Sequence, residues 1–313
     1  MKVSVRVPAT AANIGPGFDC LGMALPLYDI VTIDETVLLG TGVEINIMSE
    51  EENLENLLTG HIPRDENSII YKAVELLYNS IGQTPSELKI TVQTSIPVTR
   101  GLGSSAAVIV GALMGANKLL GTPADESALL SFATEIEGHP DNVTPAVVGG
   151  LVMSSLENDG SIIYRKLDWP EEWAISVCIP DVELATEISR SVIPKEVPLE
   201  DAVYNLKRMG MFVEAVNKHD SELMKFALTD KLHQPYREKL VPGLRELNET
   251  FRHEEDVLGC VLSGAGSSML VISQNNVIDK VKSTVEDIMY NLNVKADVKT
   301  MKIEQSGAVV TGE

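Results

Sequence analysis

Three cysteines, at positions 20, 178 and 260, are all the chain carries in 313 residues. Their odd number and irregular spacing exclude a disulfide framework and give no metal-binding pattern, so buried or incidental thiols in a reducing compartment are expected. Long apolar runs are also missing. The most extended, Ala106 to Ala116, falls well short of the ~20 residues that a membrane-spanning helix needs. Met1 to Pro8 alternates like a strand and has no apolar signal-peptide core, which makes a cytoplasmic location the expectation. Positive charge is scarce: Lys and Arg number 25 against 45 Asp and Glu, a formal charge of −20. Such a field disfavours nucleic acid and anionic membranes as partners. Most of the acidic surplus, including Glu50-Glu51-Glu52 and Glu171-Glu172, reads as solvated surface.

What is present is a packed globular chain, 44% hydrophobic, long enough for two modest domains. The period of apolar residues predicts strands at Val3 to Val7, Ile30 to Glu35, Val43 to Met48 and Leu88 to Thr94, and a helix from about Ser68 to Ile81 ended by Gly82. Thr122-Pro123-Ala124-Asp125 reads as a capped helix start, with Thr122 as N-cap, and Gly138 as the stop. His139-Pro140-Asp141-Asn142 then reads as a loop. Further strands are expected at Leu151 to Ser154, Ser161 to Leu167, Trp173 to Ile179, Val257 to Ser263, Ser268 to Ile272 and Val294 to Met301. Helices are expected near Glu200 to Lys218, Leu244 to His253 and Val277 to Leu292. Strands and helices in that order make an α+β protein with helices packed on antiparallel sheet.

The segment with the most chemistry in it is Pro97-Val98-Thr99-Arg100-Gly101-Leu102-Gly103-Ser104-Ser105-Ala106-Ala107, which leads from a strand into an apolar helix. Two glycines allow close backbone approach to an anion, and the free N–H groups of a helix start carry the positive end of its dipole. The same pattern also fits a tight structural turn. It lacks the Gly-Lys-Ser/Thr ending of a Walker A loop, so an ordinary P-loop is excluded. An anionic ligand held by so acidic a chain needs local positive potential, and Arg100 inside the loop is a candidate source.

Two more segments bear on the question: Pro8-Ala9-Thr10-Ala11-Ala12-Asn13-Ile14-Gly15-Pro16-Gly17-Phe18-Asp19 and Ser263-Gly264-Ala265-Gly266-Ser267-Ser268. Together with the glycine loop, in this order, they resemble the three signature motifs of the GHMP small-molecule kinases. The first of them and Glu137-Gly138-His139-Pro140-Asp141-Asn142 resemble the homoserine kinase branch.

The resemblance implies a two-domain GHMP kinase fold: a ribosomal-protein-S5-like ATP-binding domain over residues 1–155, and a ferredoxin-like domain over 156–313. It implies ATP and Mg²⁺ as donor and cation and L-homoserine as acceptor, with a homodimer left open. By the same resemblance Pro97 to Ala107, Asn67, Thr186, Gly264 and Gly266 serve ATP. Ser105 and Glu137 hold the metal, with Glu135 the competing carboxylate two residues away on the helix. Asn67 reads equally as a helix cap, and Gly264 and Gly266 as a hairpin turn.

On the acceptor side the resemblance assigns Arg190 and Arg237 to the substrate carboxylate, Asn13 and Asp19 to its amino group, and His139 to the pocket wall. A guanidinium fork suits a carboxylate. Asp141 is the tempting base, but Asn142 stands where related kinases carry an aspartate. An amide cannot take up a proton at neutral pH, so Asn142, Arg190 and Ser105 are expected to act by positioning and by charge. Another small alcohol as acceptor, or a non-catalytic descendant of the fold, are the alternatives.

Overall fold

The computed structural model describes residues 1–35, 42–49 and 63–312; Glu50-Glu51-Glu52 lie outside them. The first layer is a seven-stranded sheet. Strands β1 (Lys2–Ala12), β2 (Leu21–Asp34), β3 (Val43–Ser49) and β4 (Leu88–Thr94) form its body, with β3 and β4 parallel and the other pairs antiparallel. Helices α1 (Ile69–Ser80), α2 (Ser104–Leu119), α3 (Glu126–Glu137) and α4 (Pro140–Val148) pack with it. α2 is buried on nearly all sides, as its unbroken apolar sequence requires. It approaches the sheet so closely that a Cβ on Gly111 would sit 2.5 Å from Val31.

β5 (Leu151–Leu156) pairs with the start of β2, and β6 (Ile162–Leu167) pairs with β5. The expected division at residue 155 therefore falls inside a hairpin of the first sheet. The chain end also returns to it, since β11 (Val309–Gly312) pairs with β1.

Between these lies the second layer. Strands β7 (Trp173–Pro180), β8 (Val257–Leu262), β9 (Met269–Gln274) and β10 (Ala296–Met301) form an antiparallel sheet in the order β10-β7-β9-β8. Helices between β7 and β8, and α10 (Ile278–Asn291) between β9 and β10, complete a βαββαβ unit, the ferredoxin-like arrangement. The helices of the first crossover are α5 (Thr186–Ser191), α6 (Leu199–Lys218), α7 (Ser221–Ala227), α8 (Gln234–Arg237) and α9 (Leu244–Phe251). Three of them, α5, α7 and α8, are too short for their apolar period to stand out in sequence.

Two local expectations are corrected. Residues 139–142 are not a loop: Pro140 opens α4 at its first turn, where a missing N–H costs nothing, with His139 as N-cap. The cap of α3 is Asp125, whose carboxylate accepts the Ala128 N–H at 2.9 Å, while Thr122 sits outside the helix in a left-handed turn. Cys178 and Cys260 are buried, and all three cysteines are free. No helix among the described residues is long and apolar enough to cross a membrane.

Candidate active site between the two layers

The glycine loop is built for close approach. Gly101 and Gly103 both adopt left-handed backbone, at φ 72° and 70°. A Cβ on Gly101 would lie 2.2 Å from the Ser263 carbonyl, and one on Gly103 would lie 1.9 Å from Thr10 Oγ1. A side chain at Gly101 would have to displace the Ser263 and Gly266 backbone, and one at Gly103 the Thr10 side chain. Gly103 caps α2 without a side-chain bond, and the first backbone bond of the helix runs from Ala107 N–H to the Gly103 carbonyl at 2.9 Å. The amides of Ser104, Ser105 and Ala106 thus precede the bonded turns and offer donors at the positive end of the dipole.

The β8–β9 turn of the second layer clasps this loop. Gly264 N–H donates to the Ala12 carbonyl at 2.8 Å, Ser268 N–H to Arg100 at 3.0 Å, and the Ser263 hydroxyl to Gly101 at 2.6 Å. Of residues 97–107, Pro97, Arg100, Ala106 and Ala107 do not line the cavities described below, and of these Arg100 carries the charge. Its guanidinium is buried and paired with Asp181 at 3.1 Å, so it ties the layers together and lines neither cavity described below. The charge expected from it must come from the helix start and from the arginines of the second layer.

Two adjoining cavities open at the start of α2. The larger, about 460 Å³, has an apolar end made by Ile69, Ile70, Val92, Val98 and Val108, and a polar end at Thr99, Ser104, Ser105, Glu137, His139 and Thr186. Asp29 on β2 also lines it. This carboxyl is almost wholly buried and accepts the Ser95 and Ile96 amides at 3.1 and 3.2 Å. Burial pushes its pKa up to about 7, although Thr94 and these amides oppose the shift. A lone acid in an otherwise apolar stretch of β2 was the available signal for it, and sequence reasoning passed over it. Asn67, by contrast, is exposed in the turn before α1 and is not among the residues lining either cavity. The capping residue there is its neighbour Ser68.

The smaller cavity, about 60 Å³, shares Thr99, Ser104, Ser105, Glu137, His139 and Thr186 with the first and adds, among others, Asn13, Asn142, Arg190, Arg237, Gly264 and Ala265. Where the two meet, Ser105 Oγ donates to Glu137 Oε1 at 2.7 Å. Burial holds the Glu137 carboxyl above its ordinary range despite that bond. Glu135 is exposed and outside both cavities, as helix phase requires.

In the smaller cavity, Asn142 is buried and its Oδ1 accepts the Thr10 hydroxyl at 2.9 Å. Its Nδ2, a donor, is the group left over. His139 Nδ1 lies 2.6 Å from Oδ1 of Asp141, a carboxylate with no exposed surface, leaving Nε2 for the cavity. Burial alone would lower the histidine pKa; the bond and charge of Asp141 outweigh it and raise it. Asp141 itself lines neither cavity.

Arg190 and Asp19 face each other in a bidentate pair at 2.7 and 3.3 Å, and Asn13 Oδ1 accepts the Asp19 amide at 2.8 Å. Asn13 and Asp19 both hold left-handed backbone. Arg237 is buried, with Nε on the Ser189 carbonyl and Nη1 on the Gly264 carbonyl, both at 3.2 Å. Its pKa is pushed down to about 10 by burial and by Arg190. The Phe18 ring lies within reach of both guanidinium groups, its centroid 5.7 Å from Arg190 and 5.4 Å from Arg237, and stacks on His233.

A βαββαβ layer clasping a glycine-led helix start, with a long cavity meeting a small cationic one, defines a class of phosphotransferase. Residues 68–150 match the family model for the GHMP kinases N-terminal domain, and 212–291 match that for the C-terminal domain. The chain is 43% identical over 306 residues to the homoserine kinase of Moorella thermoacetica, covering 98% of this chain and 99% of that protein. It is 37% identical over 310 residues to that of Caldicellulosiruptor saccharolyticus, covering 98% and 96%. A crystal structure of homoserine kinase from Cytophaga hutchinsonii superposes with a TM-score of 0.86 at 27% identity, over 99% of this chain and 97% of that one. The chain belongs to the GHMP kinases and, within them, to the homoserine kinase family.

Proposed function

We propose that this chain transfers the γ-phosphoryl group of ATP to the hydroxyl of L-homoserine, giving O-phospho-L-homoserine for threonine biosynthesis. The observation that carries the reading is the junction of the two cavities at Ser105 and Glu137, with a helix start behind it and two arginines across it. The base end of the nucleotide fits the apolar half of the larger cavity, and its phosphates fit Thr99, Gly101, Gly103 and the amides of Ser104 to Ala106. Ser105 and Glu137 present a hydroxyl and a carboxylate, the hard oxygens that Mg²⁺ accepts alongside waters and phosphate. When bound there, the cation would offset charge on the phosphate oxygens. Among the described residues no cluster of three or more His, Cys, Asp or Glu forms a self-sufficient metal site.

Homoserine fits the smaller cavity with its carboxylate at Arg190 and Arg237 and its ammonium at Asp19 and Asn13. Asp19 and Arg190 neutralise each other, so a zwitterion can replace each by its own opposite charge. The hydroxyl then lies by His139 and Asn142. Asn142, with Oδ1 committed to Thr10, can hold the acceptor oxygen but take no proton from it. The proton leaves late, to the phosphoryl oxygens or to solvent, as a loose transition state permits. A coupled assay of ADP release across homoserine, mevalonate, shikimate and galactose tests the reading: homoserine should be preferred, and a better carboxylate-free acceptor would overturn it.

A further inference from the structure

His233 has no exposed surface and lines neither cavity of the site, yet both of its ring nitrogens are engaged. Nε2 lies 2.9 Å from the Gly15 carbonyl oxygen, and Nδ1 lies 3.3 Å from Arg237 Nη1. A carbonyl oxygen can only accept and a guanidinium nitrogen can only donate. The ring proton therefore sits on Nε2 and the lone pair on Nδ1, so His233 donates to Gly15 and accepts from Arg237. No other protonation state satisfies both contacts; an imidazolium would set one N–H against another at Arg237. Burial holds the His233 pKa below its ordinary value, which favours the neutral ring, although Asp230 and the Gly15 bond oppose the shift.

The ring is held from its backbone side as well. The Asp230 carboxylate accepts the Leu232, His233 and Gln234 amides at 2.9, 2.9 and 2.7 Å, and Asn205 Nδ2 at 2.7 Å. Its plane is set by the stack on Phe18, with centroids 5.3 Å apart and the rings 16° from parallel. Arg237 then has three of its N–H groups committed: Nε to the Ser189 carbonyl, and Nη1 to the Gly264 carbonyl and to His233 Nδ1. The two N–H groups of Nη2 are what remains for the smaller cavity, which Arg237 lines. Without an acceptor at Nδ1, the second Nη1 hydrogen is unpaired in the interior, and the guanidinium can relieve it only by swinging away from the two carbonyls.

We propose that His233 is a positioning residue for acceptor binding: Nδ1 fixes Arg237 so that Nη2 meets the acceptor carboxylate, and Nε2 ties that arginine to the turn carrying Asn13 and Asp19. One neutral ring thus sets the spacing between the carboxylate and ammonium ends of the pocket. The proposal rests on the reading of the smaller cavity as the homoserine site.

Two amide variants separate the two nitrogens. In His233→Asn the side-chain oxygen can stand near the place of Nδ1 and accept from Arg237, but nothing reaches Gly15. In His233→Gln the side-chain nitrogen reaches the place of Nε2 and donates to Gly15, but Arg237 loses its acceptor. Both variants lose the stack on Phe18 alike. The measurement is the ratio of kcat/KM for homoserine to that for 3-aminopropan-1-ol, which lacks the carboxylate. His233→Asn should keep the wild-type ratio within about threefold, and His233→Gln should lower it about tenfold, through the homoserine Michaelis constant rather than kcat. Equal losses in the two variants, or a greater loss in His233→Asn, would overturn the proposal. A wild type that does not prefer homoserine to 3-aminopropan-1-ol would instead remove the homoserine reading, and the proposal with it. Nitrogen-15 spectra of the wild-type imidazoles at neutral pH need no variant to fold: His233 should be neutral with its proton on Nε2, and a proton on Nδ1 or on both nitrogens would refute the arrangement.

Discussion

Replacing Arg190 by alanine is the cleanest probe of how the acceptor is read. Arg190 is only half-buried, and its one strong partner is Asp19, at 2.7 and 3.3 Å. Arg237 is a poorer probe. Its loss would strip the Ser189 and Gly264 carbonyls of donors in the interior as well as the pocket of charge, mixing folding with binding. A charge-assisted contact of the Arg190 kind contributes about 1.5–3 kcal/mol, and its exposure to solvent places it near the lower end. Wild type must also break the Asp19 pair before it can hold a carboxylate, which trims the gain again. The expectation is therefore a rise of roughly ten- to thirty-fold in the homoserine Michaelis constant, a smaller change in kcat, and an ATP constant left alone. The assay that isolates the contact pairs homoserine with 3-aminopropan-1-ol, the same amino alcohol without its carboxylate. Wild type should discriminate between them by at least about tenfold, and Arg190→Ala should erase most of that ratio. If the variant lowers kcat/KM equally for both alcohols, Arg190 does not read the carboxylate, whatever it does to the overall rate.

Other expectations follow from the same geometry. Glu137→Gln should cut turnover by ~10²-fold or more and raise the Mg²⁺ concentration needed for half activity, while Glu135→Gln should leave both nearly intact; equal effects would remove Glu137 from the metal site. Asp141→Asn should keep a folded protein and a substantial share of activity, with no more than a downward shift of the limb that His139 contributes once the Asp141 charge is gone; loss of a limb together with a ~10²-fold drop would make Asp141 a base after all. Asp29 is raised from 3.8 to about 7 in the folded chain. The folded state therefore binds that proton more tightly, and its contribution is fullest below about pH 4 and is lost as pH rises through about 7, with a ceiling of ~4 kcal/mol. Asp29→Asn keeps an acceptor for the Ser95 and Ile96 amides, so it should flatten urea midpoints between pH 5 and 8; parallel profiles for variant and wild type would refute the assignment.

How far the site could be read in sequence depended on whether a residue's role is local. Gly101 and Gly103 are legible because positive φ and close approach are demands on the residue itself. Glu137 over Glu135 is legible because helix phase fixes which carboxylate turns toward Ser105. The segment at 139–142 misled because proline and aspartate mark turns and first helical turns alike, and only the chain beyond decides between them. Arg100 misled differently. Its position in the loop is fixed by sequence, but the direction of a long side chain is fixed by what pairs with it, and Asp181 lies on the other layer.

The proposed acceptor pocket was least legible, for a physical reason. Asn13 and Asp19 come from the turn after β1, His139 and Asn142 from the start of α4, Arg190 from α5 and Arg237 from α8. No two of these segments share a periodicity, and α5 and α8 are too short to announce themselves. What brings them together is the clasp of the β8–β9 turn on the glycine loop, a set of backbone bonds that leave no mark on residue type. Chemistry that resides in one turn can be read from one turn, whereas a pocket that selects a small zwitterion needs opposite charges held apart by rigid elements. Here those elements belong to two different layers, so the proposed acceptor choice rests on how the two layers meet.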